Sequence, residues 1–414
     1  MRIENFSQML EKYADVIVKV GLNLQPGQRL HIAAEMNTTR LVRQIVTKAY
    51  QNSCPLVTVL WSDEQLRKIR HQFAPRDSFE EYPAWIAEGI LEDAKRGDAY
   101  LSITGLDPEL LAGLDPELIG VELQTRAKHF KPVVEYVTNG AVQWTVVCPP
   151  TPKWASKIFP NVSVDEAEVQ LWEVMFKLCR LDNDDPAGVW KKHLASLKKR
   201  CDVLTEKQFA TLHFRGPGTN LKIGMPKNHI WAGGSSKTKD GVDFTANIPT
   251  EEVFCMPHKT KTEGTVSATK PLNYHGNLIE NFSLTFSEGR VVDFKARKGE
   301  EALRKMLETD DTAGFLGEVA LVPHKSPISK SGLIFFNTLY DENAACHLAL
   351  GSAYQHNIRG GTEMTEEELA EAGVNNSLIH VDFMIGSDKV DVDGIATDDI
   401  VTPVMRAGEW AFEV

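Results

Sequence analysis

The hydrophobic period changes near residue 200, and this change limits the folds open to the chain more than any other feature. Before that point, helical and strand patterns alternate. A helix is expected over residues 4–20, leading through the turn GLNLQPGQ into the strand-like RLHIAA. A helix near 38–51 precedes the apolar run PLVTVLW, and Ser62-Asp63-Glu64 reads as the cap of the next one. AYLSITG, residues 99–105, has the pattern of a further strand. Strands separated by helices imply βαβ units and a mainly parallel sheet.

LDPEL occurs twice, at 106–110 and 114–118, each time with Asp at a potential N-cap and Pro at the first helical position. Two short helix starts explain this better than a repeat architecture. A charged helical stretch over 189–206 closes the first half. Beyond it, TLHFRG, NLKIG, NFSLTFSEGRVVDFKA and LIHVDFMIG alternate apolar and polar residues between Gly turns. SEGRVVDF reads as a hairpin loop and strand. Helices are expected only near 299–308, 344–354 and 365–372, the last opened by a capping box from Thr365 to Glu368. The expectation is an α/β N-terminal domain with a mainly parallel sheet over 1–200, and a mixed α+β C-terminal domain over 201–414.

Several classes of function lose support from composition alone. A formal charge of −12 argues against nucleic acid or anionic membrane as a partner, since both require concentrated Lys and Arg. No apolar run approaches the ~18–20 residues of a bilayer span, and the N-terminal helix lacks the features of a secretory signal. Six scattered cysteines without C-x-x-C point to reduced thiols in a cytoplasm. AGGSSKTKDG, residues 232–241, lacks the second Gly of a phosphate loop at Ser236 and reads as a solvated turn. No G-x-S-x-G or H-E-x-x-H is present.

The chemistry concentrates in the second half. In HVDFMIG, strand alternation puts His380 and Asp382 on one face, with Val381 and Phe383 on the other. An ordinary half-buried strand explains this pair taken alone. His347 and Tyr354 are seven residues apart and share a face if 344–354 is helical. Glu318 sits in the apolar GFLGEVALVP, where a lone carboxylate is expensive to bury. Of Glu251 and Glu252, which open a strand after Pro249, only one is expected to face inward. Glu252, Glu318, His347, His380 and Asp382 together form a ligand set for Zn²⁺, Mn²⁺ or Co²⁺. Two divalent ions, three carboxylates and one bridging hydroxide sum to neutrality, as a partly buried two-metal site needs. His258, His275 and His324, beside Pro or Gly, are substitutes should this set be wrong.

NIPTEEVF, ATKPLNYHGNLIENF, LGEVALVP, SGLIFFNTLYDENAACHLALGSAY and HVDFMIGS, in that order, resemble the thermophilic-type metalloaminopeptidase family of aminopeptidase T, AmpS and PepS. The resemblance covers essentially the whole chain. It implies a dinuclear metalloaminopeptidase that uses a two-metal-activated water to release N-terminal residues from short peptides. It also implies Zn, Co, Mn or Mg ions held by Glu252, Glu318, His347, His380 and Asp382, and a homodimer with enclosed active sites. Tyr354 falls on the family's essential tyrosine, suited to donating to an oxyanion. Glu318 is a candidate for proton transfer as well as a ligand. The rival expectations are a two-metal amidase acting on a non-peptide amide and a non-catalytic small-molecule binding protein.

Overall fold

The computed structural model describes residues 5–105, 107–274 and 277–414. Glu4, Leu106 and His275, named above, lie outside them. The chain divides into two compact units, Met1–Lys192 with Ser235–Pro249, and His193–Gly234 with Thr250–Val414. Among the described residues, no helix is long and apolar enough to cross a membrane.

The first unit is built on a five-stranded sheet. Its strands run in the order Val57–Ser62, Leu30–Glu35, Ala99–Ile103, Trp144–Val147, Asn247–Ile248, and every pairing is parallel. The expected first helix forms over Phe6–Val16 and continues as a π-helical turn through Ile17–Gly21. Asp63 caps the helix Glu64–Phe73 by accepting from the Gln65 N–H. The two LDPEL copies diverge. Asp115 caps the long helix Pro116–Thr138, whereas 107–114 forms turns only. Gly113, in the left-handed region at φ 77°, ends that first segment before a helix can propagate.

The second unit stacks two antiparallel sheets over one core. The larger has nine strands, including Thr211–Gly216, Thr219–Gly224, Thr262–Ser267, Asn277–Ser287 and Asp391–Ile395. The expected hairpin is present, with Asn277–Ser287 pairing Arg290–Lys298 across Glu288 and Gly289, both at positive φ. The helix Glu366–Glu371 opens with the expected reciprocal Thr365–Glu368 capping box.

The smaller sheet is four-stranded, in the order Val253–Cys255, Leu316–Leu321, His347–Gly351, His380–Met384. Its inward face carries Val253, Cys255, Val319, Leu321, Leu348, Leu350 and Phe383, which pack with Leu212, Phe214, Leu284 and Phe286 of the larger sheet. Each such side chain contributes about 1.5–3 kcal/mol on burial, which fixes which face of every strand points away from the core.

One expectation is overturned here. Residues 344–354 do not form a helix: Glu342–Ala344 is a 3-10 turn and His347–Gly351 is a strand. The Ala, Leu and Gly residues that suggested a helix alternate instead. Cys346, Leu348 and Leu350 face the core, and His347, Ala349 and Gly351 face outward.

Candidate metal centre

The outward face of the small sheet is where the sequence-derived residues meet. Cross-strand pairing aligns Phe254, Ala320, His347 and Met384 in one row, and Glu318, Ala349 and Asp382 in the next. Gly351 then pairs with His380. Glu252 lies two residues before Phe254 and so belongs to the same face. The positions between the polar groups are Ala320, Ala349 and Gly351, so nothing bulky fills the space the polar groups enclose.

A bulge gives Glu318 its direction. The register between the Glu318 and His347 strands slips between Leu316 and Glu318, which turns Leu316 to the core and Glu318 outward. Gly317 permits this, since a Cβ there would collide with the Ser352 carbonyl. Gly351 is likewise required, with φ 106° and its would-be Cβ position against the Ile379 carbonyl.

Two groups of donors result, Glu252–Glu318–His347 and Glu318–His380–Asp382, with the ligand atoms of each within 4.8 Å of one another. Glu318 belongs to both. His347 Nε2 lies 3.1 Å from Glu252 Oε2 and 3.3 Å from Glu318 Oε1. His380 Nε2 lies 3.7 Å from Glu318 Oε2 and 3.6 Å from Asp382 Oδ1. Both imidazoles are oriented from behind: Nδ1 of His347 faces the Ala345 carbonyl at 3.2 Å, and Nδ1 of His380 faces the Ser352 carbonyl at 2.7 Å. Protons on Nδ1 satisfy those carbonyls and turn each Nε2 into the cluster, the arrangement typical of ligating histidines.

Electrostatics show what the cluster needs. Burial alone would lower His380, but the hydrogen bond and charge of Asp382, helped by Glu318, raise it to about 9. His347 is also raised well above its ordinary value, its burial outweighed by Glu252 and Glu318. Glu318 is pushed up by burial despite both histidines. Burial pulls Asp382 up too, yet its hydrogen bond and charge pairing with His380 bring it below the ordinary carboxylate range. Carboxylates this closely packed call for positive charge among them. Glu252 Oε2 and Asp382 Oδ1 are buried without a hydrogen bond of good geometry. Buried oxygens left in that condition, beside imidazole nitrogens that can exchange a proton for a metal, suit divalent cations.

Tyr354 stands at the rim, 39% exposed, its ring centroid 5.0 Å from that of His380. Protein packed round it, then the charges of Glu318 and Asp382, push its phenol well above the ordinary value. Glu251 takes a separate course. Both glutamates of the pair are buried, against the expectation of one, because Glu251 has its own partners. Its carboxylate lies 3.5 Å from His193 Nε2, and its N–H donates to Asn343 Oδ1 at 2.7 Å. Of the substitute histidines, His258 and His324 are outside the cluster.

Sequence reading missed Glu342. It is buried, and burial followed by the charges of Glu252 and Asp382 raises its carboxyl well above the usual range. Asn343 Nδ2 donates to its Oε1 at 3.3 Å, so Asn343 ties Glu342 to the backbone beside Glu252. The available signal was a glutamate five residues before His347, between Asp341 and Asn343 and just ahead of the small residues Ala344 and Ala345.

The sequence matches the thermophilic metalloprotease (M29) family over residues 6–410. It is 46% identical to aminopeptidase AmpS of Bacillus subtilis, over 99% of this chain and 100% of that one. It is 42% identical to aminopeptidase T of Thermus thermophilus, over 99% and 100%. The solved structure of wild-type AmpT from Thermus thermophilus superposes with a TM-score of 0.94, covering 98% of this chain and 100% of that one. Matched across nearly its whole length, the chain belongs to the thermophilic metalloprotease family M29.

Proposed function

We propose that this chain is a metal-dependent aminopeptidase that removes N-terminal residues from short peptides. Family membership and the names of its relatives support the reaction class. The observation that carries the site is the sharing of Glu318 between two donor groups on one sheet face. In this reading Glu252, Glu318 and His347 would hold one divalent ion, and Glu318, His380 and Asp382 would hold the second. Such a pair of ions supplies Lewis acidity, polarising a carbonyl and lowering the pKa of water towards ~7.

The protein groups do the rest. The Ala345 and Ser352 carbonyls keep the histidine Nε2 atoms directed inward. The acidic cluster attracts the peptide's free α-ammonium group, which limits reaction to the first peptide bond. The Tyr354 hydroxyl donates a hydrogen bond to the carbonyl oxygen as it gains negative charge. Glu318 is our candidate for moving the proton from water to the departing amine. We assign the ligands and chemistry to the second unit, making it the catalytic domain, and place the enzyme in the cytoplasm.

A homodimer fits one further feature. Leu66, Ile69 and Phe73, on one side of the helix Glu64–Phe73, are 64%, 49% and 79% exposed. A second copy would cover such a stripe.

The test is release of free amino acids from a dipeptide panel by chelated protein resupplied with Zn²⁺, Co²⁺, Mn²⁺ or Mg²⁺. Free dipeptides are expected to be cleaved, and N-acetylated ones are expected to resist. Equal cleavage of both would turn the assignment to a general amidase. No metal uptake and no cleavage would reduce the chain to a binding protein.

A further inference from the structure

An aminopeptidase fixes the α-amine of its substrate at the centre, so the first side chain must lie within a few ångströms of it. One wall of the centre is aromatic. Phe254 projects from the same strand face as Glu252, in the row of His347. Tyr354 and His356 follow the His347 strand and stack with ring centroids 5.4 Å apart at 24°. Phe254 meets both edge-on, at 6.0 Å from each. Tyr354 in turn leans on His380 at 5.0 Å.

These rings do not resemble a closed core. Tyr354 and His356 reach solvent, and Phe254 is half-buried. The strand positions beside them are Ala320, Ala349 and Gly351, so the sheet sets no bulky side chain at their feet. Protein crowding nevertheless pushes the His356 imidazole down to about 4, so the ring is neutral at pH 7. Contact with water combined with crowding by protein is what the wall of a concavity experiences.

We propose that Phe254 and His356 form, with the Tyr354 ring, a subsite for the side chain of the substrate's first residue. The subsite selects large apolar and aromatic side chains over glycine. Rings at these separations and angles gain from a further edge-on or offset ring. Loss of such a contact in an apolar subsite costs roughly 10–200-fold in discrimination. The inference rests on the aminopeptidase reading of the same site.

Two variants, His356→Ala and Phe254→Leu, test it in the metal-loaded enzyme. Their kcat/KM values are measured for Phe-Gly, Leu-Gly and Gly-Gly. Calorimetric titration with free L-phenylalanine and with glycine supplies a readout independent of turnover. The expected result is a Phe-Gly to Gly-Gly preference reduced at least tenfold or so, with weaker binding of phenylalanine relative to glycine. An unchanged preference overturns the proposal. So does an equal loss on all three peptides, since that marks the rings as mere support for Tyr354. If wild-type enzyme cleaves no dipeptide, the aminopeptidase reading fails. The amino-acid titrations then judge the subsite alone, and equal affinity for phenylalanine and glycine overturns it. His356→Gln replaces the alanine variant should that one fail to fold.

Discussion

Glu318 and His347 lie on adjacent antiparallel strands, and Glu318 Oε1 sits 3.3 Å from His347 Nε2. The other Glu318 oxygen turns towards His380. One side chain therefore serves both halves of the cluster, whereas Glu252 and Asp382 each serve one. Glu318→Gln is expected to abolish binding of both metal equivalents and to lower kcat/KM by at least about 10³-fold, since outer-shell partners alone are worth 10–100-fold. Glu252→Gln or Asp382→Asn is expected to weaken one equivalent more than the other. Metal content by mass spectrometry after dialysis checks this. Two ions retained by the Glu318 variant would remove the residue from its shared role.

Tyr354 makes a separable contribution. Its ring touches His380, and both groups of carboxylate and imidazole donors form without its hydroxyl. Tyr354→Phe is expected to retain the full metal complement and lose about 10²–10³-fold in kcat, the scale of one oxyanion donor. An equal fall in metal content and activity would show that the residue holds the site together instead.

The legible parts of this site were those where period and chemistry coincide. His380 and Asp382 could be placed on one face because HVDFM alternates cleanly and its apolar partners face the core. Glu318 was visible as a charge in an apolar run. The His347 segment was misread for a physical reason: a strand that must leave room for a cluster carries Ala and Gly on its open face. With Leu on the other face, CHLALG has the composition of a helix. Its long-range pairing with the Glu318 and His380 strands decides the outcome, and a local window does not contain that information. Glu342 was missed because its position depends on a 3-10 turn that folds back beside Glu252, which has no periodic signature. In the first unit, the two LDPEL copies had equal local signals and only the second became a helix.

That alternation yields a paired test. Leu350 is fully buried on the core face, and Ala349 is its neighbour on the metal face. Leu350→Ala is expected to cost about 2–5 kcal/mol of stability through the cavity it leaves, with metal affinity much less affected. Ala349→Leu fills the space between Glu318 and Asp382, and is expected to impair metal binding before it impairs folding. Chemical denaturation and metal titration of both variants separate the two faces. The opposite pattern would mean that the strand presents its other side.

Asp310 supplies a pH-dependent element away from the centre. Its carboxylate accepts from the Thr312 hydroxyl at 2.5 Å, from the Thr312 and Leu378 N–H groups, each at 2.7 Å, and from the Ser377 hydroxyl at 2.7 Å. Partial burial would raise its pKa, but these donors bring it down to about 2. The unfolded value is about 3.9. Between the two, the unfolded chain binds the proton more readily than the native one. The stabilisation is therefore complete above roughly pH 4 and is lost as pH falls towards 2. Asp310→Asn is expected to lose about 1.5–3 kcal/mol near pH 7, the worth of hydrogen bonds to a charged group. The gap to wild type is expected to close in strong acid. Urea denaturation of both proteins, kept free of metal so that acid release of ions does not contribute, measures it at each pH. A gap of constant size down to pH 2 would show that the carboxylate's charge has no part in holding Thr312 to Leu378.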